Sequence, residues 1–547
     1  MLRRKKRAGA AAILALAFLS ACSLASQVEL LAGLGKPCAT DADCQNAQCS
    51  QSKVLASTDS GICTLACSAT SSCPMGTTCA GGLCQVAAHV SITLPASVTL
   101  TSPTDFPTYL LVKSHIDGID KAAAGLPYVA LEQQFAPFSG NSIDALRALA
   151  MRSDVLIGHS VEFLPNLNLL AREFPATAFL AVNNGTYYQF FDRQPNLATV
   201  WVRHEEAWFI AGRLAGTGAL SRLGIISTTL SPESVRNVNA FTLGARQANP
   251  SIKVEVRYIG ATADTGSMPT YDYRNSLGAV VAPKLYREEL LARQLVDSGC
   301  EYIADMSSNQ RALNILSATV NPARKLAGQK VVPVLLSSSA SGCTLASGQL
   351  EATTCLAIIQ DNWEFAYQTA IESFHRGRLP AGSAVEAAMT NDANSAVRVA
   401  VNTTFPNALN YDSLVGDFTD QLVIRPAGKR IFVGPFGTSG QRDADGDGLP
   451  DAAQQQPSGV AISEAESATM CFYVDGVVEY YDTGQLNAMM LPVLAERPAL
   501  VPGGLVPGAT SPESAVALPI PTDVLALPAR QSANCRKNAA WIYRSNG

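Results

Sequence analysis

Short strand-like and helical segments alternate along residues 90–480, and this alternation constrains the fold more than any other feature of the chain. Such alternation is typical of parallel sheets that carry helices on both faces. The stretch is longer than one hydrophobic core usually holds, so we expect two lobes. The strand-like runs are Val155–Gly158, Ala178–Val182, Thr199–Val202, Gly224–Ser227, Lys253–Tyr258, Tyr302–Ala304, Val331–Leu336 and Leu356–Ile359.

Two of the intervening segments have helical periodicity. Over Glu205–Gly216 and over Pro232–Ala248, apolar and small residues recur at the spacing of one helix face. Ser231 suits the N-cap of the second segment, and the proline that follows it suits a first helical turn. Asn249-Pro250 predicts the end of that helix. The expected fold class is therefore α/β, with two doubly wound parallel-sheet lobes and a cleft between them.

Seven short motifs follow one another between residues 171 and 478. They are Ala171–Phe179, Glu206–Ala215, Leu223–Ile226, Asn239–Ala245, Asn249–Val254, Phe432–Phe436 and Met470–Val478. Their order is similar to that of the basic membrane protein family, lipoprotein solute-binding proteins of which some bind purine nucleosides for ABC transporters. The resemblance implies a type I periplasmic-binding fold over residues 90–480. It also implies that Met470–Val478 is the closing helix.

The resemblance and the strand ends together indicate where a ligand would bind. Open parallel sheets bind ligands at the carboxyl ends of their strands, and the family does the same. The candidate ligand-binding residues are Asp105, Phe106, Phe163, Asn183, Asn184, Ser337, Ser338, Asp361 and Trp363. Two acidic positions of the family differ here: asparagines replace one aspartate, and serines at 337–339 replace a G-V-D motif. The loss of these carboxylates weakens the case for ribose recognition.

Each of these positions has a structural alternative. The asparagines at 183–184 precede glycine and also fit an ordinary turn. The serine run at 337–339 also fits a plain loop, and Trp363 also fits helix packing.

Residues 443–451 read DADGDGLPD, which matches the D-x-D-x-D-G calcium loop. Alternate carboxylates converge in such a loop because the glycine at its sixth position turns the chain. The predicted calcium ligands are Asp443, Asp445, Asp447, Asp451 and the carbonyl of Leu449. Gln454 stands where an EF-hand has glutamate, so the loop resembles extracellular calcium repeats within an insertion at 440–456. The alternative is a solvated acidic turn.

The amino terminus predicts export and lipidation. Five cations at residues 3–7 precede an apolar run shorter than the roughly 20 residues that span a bilayer. Leu19-Ser20-Ala21-Cys22 resembles the bacterial lipobox, so residues 1–21 are a predicted signal peptide and Cys22 the lipidation site. Ser23 follows the cysteine, and by resemblance to Gram-negative lipoproteins the absence of aspartate at this position indicates the outer membrane. We expect a lipid-anchored protein of the bacterial cell envelope, more at the outer than the inner membrane.

Cysteine is concentrated after a short linker at residues 22–36. An even number of cysteines in an exported segment predicts a disulfide framework, here a small module at 37–88 of open connectivity. These cysteines are Cys38, Cys44, Cys49, Cys63, Cys67, Cys73, Cys79 and Cys84. Cys343 and Cys355 close a short loop and form an expected pair, and Cys471 and Cys535 are expected to tie down the tail. Cys300, in an apolar run, is expected to be a buried thiol.

Signals for catalysis and for nucleic-acid binding are scarce. No histidine lies in H-E-x-x-H, and no G-x-S-x-G elbow or phosphate-binding loop occurs. The formal net charge of −5 becomes about −10 without the signal-peptide cations, and no Lys/Arg cluster follows residue 7. We therefore expect neither an enzyme nor a nucleic-acid-binding protein.

The favoured interpretation is a membrane-anchored lipoprotein that captures a small molecule, with a nucleoside as a candidate, for an ABC importer. The alternative is a surface lipoprotein that uses the same fold as a sensory or protein-interaction module. The cysteine-rich module, the calcium loop and the lost carboxylates keep this alternative open. Residues 481–547 are rich in proline and predict an extended tail.

Overall fold

The computed structural model describes most of residues 88–432 and short segments on either side. The described ranges are 37–38, 48–50, 61–66, 77–80, 83–86, 88–95, 109–126, 128–136, 143–159, 163–182, 194, 196–219, 221–227, 232–259, 271–274, 280–307, 311–337, 343, 353–375, 384–392, 395–425, 430–432, 461, 470, 474 and 477–480. Within these ranges, no helix combines the length and the apolar character that a membrane crossing requires. Cys22, the predicted calcium loop and the tail at 481–547 lie outside them.

A small antiparallel sheet stands in the cysteine-rich module. Its strands are β1 (Pro37–Cys38), β2 (Gln48–Ser50), β3 (Gly61–Ala66), β4 (Thr77–Ala80) and β5 (Leu83–Val86). The backbone register sets Cys49 opposite Cys63 and Cys79 opposite Cys84. Side chains of this module lie outside the description, so the disulfide framework stays a prediction.

The first lobe is built on a parallel sheet in the order β7-β6-β8-β9-β10. The helix that follows each of the first three strands crosses to the next strand, which gives the doubly wound arrangement. The elements are β6 (Ala88–Pro95), α1 (Tyr109–Gly125), β7 (Val129–Ala136), α2 (Ile143–Ala150), β8 (Val155–Gly158), α3 (Leu164–Glu173), β9 (Ala178–Val182) and β10 (Leu197–Val202).

The second lobe repeats this winding in the order β12-β11-β15-β16-β17. A hairpin of the strands Tyr271–Arg274 and Val280–Leu285 is inserted after the strand Lys253–Tyr258. One π-helical turn, Leu316–Val320, follows the helix Arg311–Ile315 directly. The elements are α4 (His204–Gly218), β11 (Arg222–Ser227), α5 (Pro232–Ala248), β12 (Lys253–Tyr258), β13 (Tyr271–Arg274), β14 (Val280–Leu285), α6 (Arg287–Asp297), β15 (Ile303–Asp305), α7 (Arg311–Ile315), α8 (Asn321–Leu326), β16 (Val334–Leu336) and β17 (Cys355–Asp361).

The chain then returns to the first lobe and leaves it again. Helix α9 (Trp363–His375) packs on α1, and β18 (Ala384–Ala387) extends the first sheet parallel to β10. Strand β19 (Val397–Val401) joins the second sheet antiparallel to β17, and α10 (Ala408–Val423) packs on α4. The two predicted lobes are therefore confirmed. After the second lobe, the chain adds one strand to each sheet, β18 to the first and β19 to the second.

One predicted element is wrong. The resemblance implied a closing helix over Met470–Val478, whereas the structure has a strand, β20 (Val477–Tyr480), parallel to β12. Consecutive valines at 477 and 478 favour the extended conformation, and the open edge of β12 offers them backbone partners.

Helices cover both faces of each sheet, so the central strands are buried. In the first lobe, α1 and α9 cover one face, and α2 and α3 cover the other. Strands β8, β9 and β10 are buried at every residue, as expected for parallel strands between two helix layers. In the second lobe, α4 and α5 pack on one face and α6 to α8 on the other.

Helices α4 and α5 approach each other so closely that glycines form the contact. A Cβ atom on Gly212 would lie closer than 3.0 Å to the carbonyl oxygen of Phe241, and one on Gly244 equally close to that of Phe209. Real Cβ atoms essentially never show such separations. Both glycines belong to motifs that carry the family resemblance. At these two positions the motifs therefore reflect the close packing of α4 against α5.

Three cysteines of the second lobe are described in full. Cys343 and Cys355 form a disulfide with a Cα–Cα distance of 5.7 Å, the pair expected from the short loop. Cys300 is a free, buried thiol. Burial raises the pKa of Cys300 to about 12, so its reactive thiolate form is suppressed at neutral pH.

Candidate ligand site between the lobes

Three chain crossings join the lobes, and each leaves a sheet at the carboxyl end of a strand. The first runs from β10 through Arg203 into α4, the second from β17 through Asn362 into α9, and the third from β18 through Met389 to β19. The carboxyl edges of both sheets, where parallel strands end, therefore meet at the crossings. This edge is where open α/β sheets bind their ligands.

Backbone hydrogen bonds tie the three crossings to one another. Arg203 N donates to Ala387 O at 3.0 Å, Asn362 N donates to Ala396 O at 2.8 Å, and Ala396 N donates to Ala388 O at 3.3 Å. The three crossings run side by side and form a narrow connection between the two lobes. Such a connection can act as a hinge.

His204 links two elements of the second lobe at this hinge. Its Nε2 lies 2.9 Å from Asp361 Oδ1, and its Nδ1 lies 3.7 Å from Glu233 Oε1 at the start of α5. Burial opposes protonation, but the two carboxylates outweigh it and raise the pKa of His204 to about 10. His204 is therefore an imidazolium ion at neutral pH, held between two carboxylates.

We expect the stabilising effect of His204 to depend on pH. Because its pKa is higher in the folded than in the unfolded chain, its contribution is complete below about pH 6.5 and is lost as pH rises towards about 10. The free energy of unfolding of the native protein should exceed that of His204→Gln most at pH 6, and the difference should shrink towards pH 10. Urea titrations across this range measure the difference. His89→Gln, which removes an exposed histidine, is the control. A flat difference for His204→Gln would contradict the assignment.

A stack of aromatic rings lies beside His204 in the first lobe. The His115 imidazole stacks on the Trp363 indole with ring centroids 3.8 Å apart, and its Nδ1 lies 2.7 Å from the Tyr367 hydroxyl. The ring of His159, just after β8, meets His115 edge-on at 5.1 Å. Burial keeps the pKa of His115 well below its usual value and lowers that of His159 to about 3. Both rings are therefore neutral near neutral pH, unlike His204.

A further ion pair, between Glu206 and Arg430, supports the crossings. Glu206 at the start of α4 accepts a hydrogen bond from Met389 N at 2.7 Å and lies 3.0 Å from Arg430 Nη1. The same Arg430 nitrogen donates to Met389 O at 2.9 Å. Burial raises the pKa of Glu206 to about 7, and Arg430 opposes the rise. This clamp joins the third crossing to the first.

Trp201, at the end of β10, carries two cations on its ring. The guanidinium of Arg203 lies 4.1 Å from the ring centroid, and that of Arg236 lies 4.8 Å from it. Glu205 lies 3.4 Å from Arg203 and 3.5 Å from Arg236. All three charged side chains are buried, so the first crossing is held by charge as well as by packing.

The carboxyl edge of the second sheet carries a buried acidic residue, Asp305, at the end of β15. Its Oδ1 accepts hydrogen bonds from the backbone and the hydroxyl of Ser307. Ser337 follows β16 and donates its backbone N–H to Asp305 O at 2.7 Å. Burial raises the pKa of Asp305 to about 7, and the hydrogen bonds from Ser307 oppose the rise.

The structure places four of the nine predicted ligand-binding residues. Ser337 and Asp361 lie at strand ends on the carboxyl edge, as predicted. Phe163 is fully buried among α2, α3 and the first sheet, and Trp363 is stacked on His115, so both rings contact the protein in this conformation. Asp105, Phe106, Asn183, Asn184 and Ser338 lie outside the described residues. Ligand contact by the nine residues stays a prediction.

Several residues of this site were not predicted from the sequence. His115 lies within a helix, so its position follows no strand. His204 comes two residues after β10, but it begins a helix, and no motif in the sequence singles it out. Asp305 does carry a readable signal, because it directly follows a buried apolar run and precedes a serine two residues on. That pattern is typical of a strand end that turns into a loop. In the described part of the chain, no group of three or more metal-binding side chains is arranged to hold a metal ion.

Two doubly wound lobes joined by three crossings at their carboxyl edges define the architecture of a periplasmic-binding domain. Residues 112–271 match the model of the Bmp family, described as ABC transporter substrate-binding protein PnrA-like. The family resemblance read from the motifs is confirmed over these residues.

Known proteins show the same likeness at low identity. The putative ABC transporter glucose-binding protein TsgA13 of Haloferax volcanii is 27% identical over 165 residues, which are 30% of this chain and 36% of that protein. The chain thus matches about a third of the length of this curated relative. An ABC transporter solute-binding protein from Conexibacter woesei is 18% identical over 62% of this chain and 97% of its own, with a TM-score of 0.44. The glucose-galactose binding protein GanP from Geobacillus stearothermophilus is 14% identical over 58% and 98%, with a TM-score of 0.37. Likenesses at such TM-scores support no functional conclusion.

Proposed function

We propose that the protein is an extracytoplasmic receptor that captures a small polar solute between its lobes and delivers it to an ABC importer. The observation that carries the proposal is the set of three side-by-side crossings. They direct the carboxyl edges of both sheets towards one cleft and leave a narrow connection about which the lobes can close. The match of residues 112–271 to a substrate-binding family supports the same class. The proposed role is binding without catalysis.

The solute we propose contains a sugar, either free or as part of a nucleoside. A protein described as a putative glucose-binding protein is among the relatives, and the matched family is described as PnrA-like. Aromatic and polar side chains, among them Trp363, His204 and Asp361, lie together near the cleft, and this combination suits a ring that carries hydroxyl groups.

We further propose that Cys22 carries the lipid anchor, at the outer membrane, and that the loop at 443–451 binds one structural calcium ion. The lipobox sequence and the alternate aspartates support these two proposals. The anchor would hold the receptor at the cell envelope, while a calcium ion would order the insertion that carries the loop.

Thermal melts of the full chain in detergent test the proposed function. The probes are inosine, adenosine, D-ribose, D-glucose and a set of amino acids. Each probe is tested under three conditions: with added calcium, without added calcium, and with a chelator. A solute present at a hundred times its dissociation constant should add about 2.7 kcal/mol to the free energy of unfolding and raise Tm. Chelation should lower Tm modestly. If no solute shifts the melt and calorimetry detects no binding heat, the receptor proposal fails.

A second candidate is a sensory or protein-interaction role for the same fold. The antiparallel sheet of the cysteine-rich module favours this candidate. A small module that precedes the lobes in the chain would offer a surface for a protein partner. A folded protein that binds none of the solutes would favour this candidate over the first.

A further inference from the structure

One edge of the first sheet has no covering strand in the described part of the chain. The winding of the two lobes leaves four edge strands, β7 and β10 in the first sheet and β12 and β17 in the second. Later segments of the chain cover three of them, since β18 pairs with β10, β20 with β12 and β19 with β17. Among the described residues, β7 pairs with β6 alone. Its outer side is therefore open to a further strand.

Strand β7 also lacks the features that usually protect a sheet edge. Protected edges are commonly short, interrupted by a bulge, or marked by lysine or proline. The covering strands β18, β19 and β20 have four or five residues, whereas β7 has eight, none of them lysine or proline, in unbroken register with β6. Phe135 in this strand is 38% exposed, and Met151, next to the Arg152 that bonds Glu132 of β7, is 67% exposed. Apolar side chains therefore accompany the open backbone edge.

The hydrogen-bond pattern shows which residues of β7 face outward. Ala88 N donates to Tyr128 O at 2.8 Å, so the carbonyl of Tyr128 points towards β6. Along a strand, the backbone groups of successive residues point to opposite sides, so the even-numbered residues of β7 bond β6. The N–H and C=O groups of Leu131, Gln133 and Phe135 point the other way, towards the open edge.

We propose that β7 pairs antiparallel with β7 of a second copy of this chain, about a twofold axis at Gln133. In this register Gln133 lies opposite its own copy, and Leu131 of each copy lies opposite Phe135 of the other. All three residues then exchange both of their outward backbone hydrogen bonds, as alternate pairs of an antiparallel ladder do. Both copies use the same surface, so the contact closes as a dimer. The dimer does not depend on which solute the cleft binds.

Side-chain chemistry favours this register over its neighbours. Leu131 and Phe135 lie on the same face of the strand, where Leu131 packs against the core, so the two cross-strand pairs would extend an apolar layer. Glu132, which lies 2.6 Å from Arg152, would face Gln134 of the other copy. An axis at Glu132 would instead set two carboxylates directly opposite each other, which destabilises a sheet. An axis at Gln134 would separate Leu131 from Phe135.

Cross-linking of variants that each add one cysteine tests the register. In Gln133→Cys, the two Cα atoms would lie about 5.5 Å apart across a hydrogen-bonded pair, within the roughly 4.4–6.8 Å that a disulfide allows. Ala130→Cys is the matched control, because Ala130 is exposed in the same strand but its two copies would lie about 20 Å apart. We expect oxidation of the full chain to give a covalent dimer from Gln133→Cys, and none from Ala130→Cys or the native chain.

A lysine at the edge tests the contribution of the side chains. Phe135→Lys introduces the residue that natural edges use against pairing and removes the apolar partner of Leu131. We expect the dissociation constant of the dimer to rise at least about tenfold, as measured by sedimentation of the full chain in detergent over a wide range of concentration. Leu409→Lys is the control: Leu409 is 89% exposed in α10 of the second lobe, and its replacement should leave the dimer unchanged. Thermal melts of both variants check that each one folds.

Each other outcome overturns a distinct part of the proposal. A native chain that stays monomeric at every concentration, without a cross-link through Gln133→Cys, would overturn the dimer and leave the edge of β7 to a strand of another protein. Cross-linking through Ala130→Cys as readily as through Gln133→Cys would overturn the register. A dimer that Phe135→Lys and Leu409→Lys leave equally stable would place the contact away from β7.

Discussion

Replacing Gly212 with alanine is expected to destabilise the protein by about 3 kcal/mol, at the upper end of what overpacking usually costs. The added methyl group would collide with the carbonyl oxygen of Phe241, which belongs to the backbone of α5 and cannot rotate away. The two helices would have to separate, and Trp208 packs against Phe241 across the same contact. Gly244→Ala meets the carbonyl of Phe209 in the same way and should have a similar effect.

Gly416→Ala is the matched control for this experiment. Gly416 lies in helix α10 with nothing within 4 Å of an added Cβ, so alanine should stabilise it by up to about 1 kcal/mol through helix propensity. The midpoints of urea unfolding of the three variants would be compared with that of the native chain. If Gly212→Ala and Gly416→Ala unfold at the same urea concentration, helices α4 and α5 are not in backbone contact.

Replacing Arg430 with methionine is expected to cost about 3–5 kcal/mol, because it leaves the buried Glu206 carboxylate without its counter-ion. The effect should also fall on the hinge, since Arg430 bonds both Glu206 and the carbonyl of Met389 in the third crossing. The companion variant Glu206→Gln keeps the hydrogen-bonding shape and removes the charge. Combined with Arg430→Met, it should recover part of the lost stability.

The cost of Arg430→Met should grow with pH. Burial already raises the pKa of Glu206 to about 7, and loss of Arg430 raises it further, so the variant is least destabilised while Glu206 is protonated. The difference in unfolding free energy between native and variant should therefore be smaller at pH 5 than at pH 8. Lys113→Met is the control: it removes a pair with Asp117 whose side chains are 42% and 43% exposed, and should cost less than about 1 kcal/mol. Equal losses of stability in Arg430→Met and Lys113→Met would show that the ion pair of Arg430 with Glu206 stabilises the protein no more than an exposed pair does.

Local sequence patterns predicted the elements of the fold well where burial is uniform. Helix α5 has the predicted bounds Pro232–Ala248, and three strands, β8, β9 and β12, also match to the residue. These segments lie between two layers of helices or carry one apolar stripe, so the hydrophobic pattern alone predicts whether they form a strand or a helix. The predicted closing helix was wrong at residues 477–478, where an open sheet edge selects the strand and no local pattern reveals that edge.

The site was predicted only in part, because its partners are far apart in the chain. Ser337 and Asp361 were placed correctly at strand ends, since that rule depends on local order alone. The ring pair of His115 with Tyr367 spans 252 residues, and the clamp of Glu206 with Arg430 spans 224. Neither pairing follows from spacing.

The sequence by itself determined the class of fold, because strands and helices alternate along a chain that is too long for one core. Only the tertiary structure decided which charges meet. The return of the chain through β18 and β19 brings three distant segments to one hinge, where His204 becomes an imidazolium between carboxylates while His115 and His159 stay neutral. The physical reason is that burial and neighbouring charge set a pKa, and both arise from contacts between residues that are separated in the sequence.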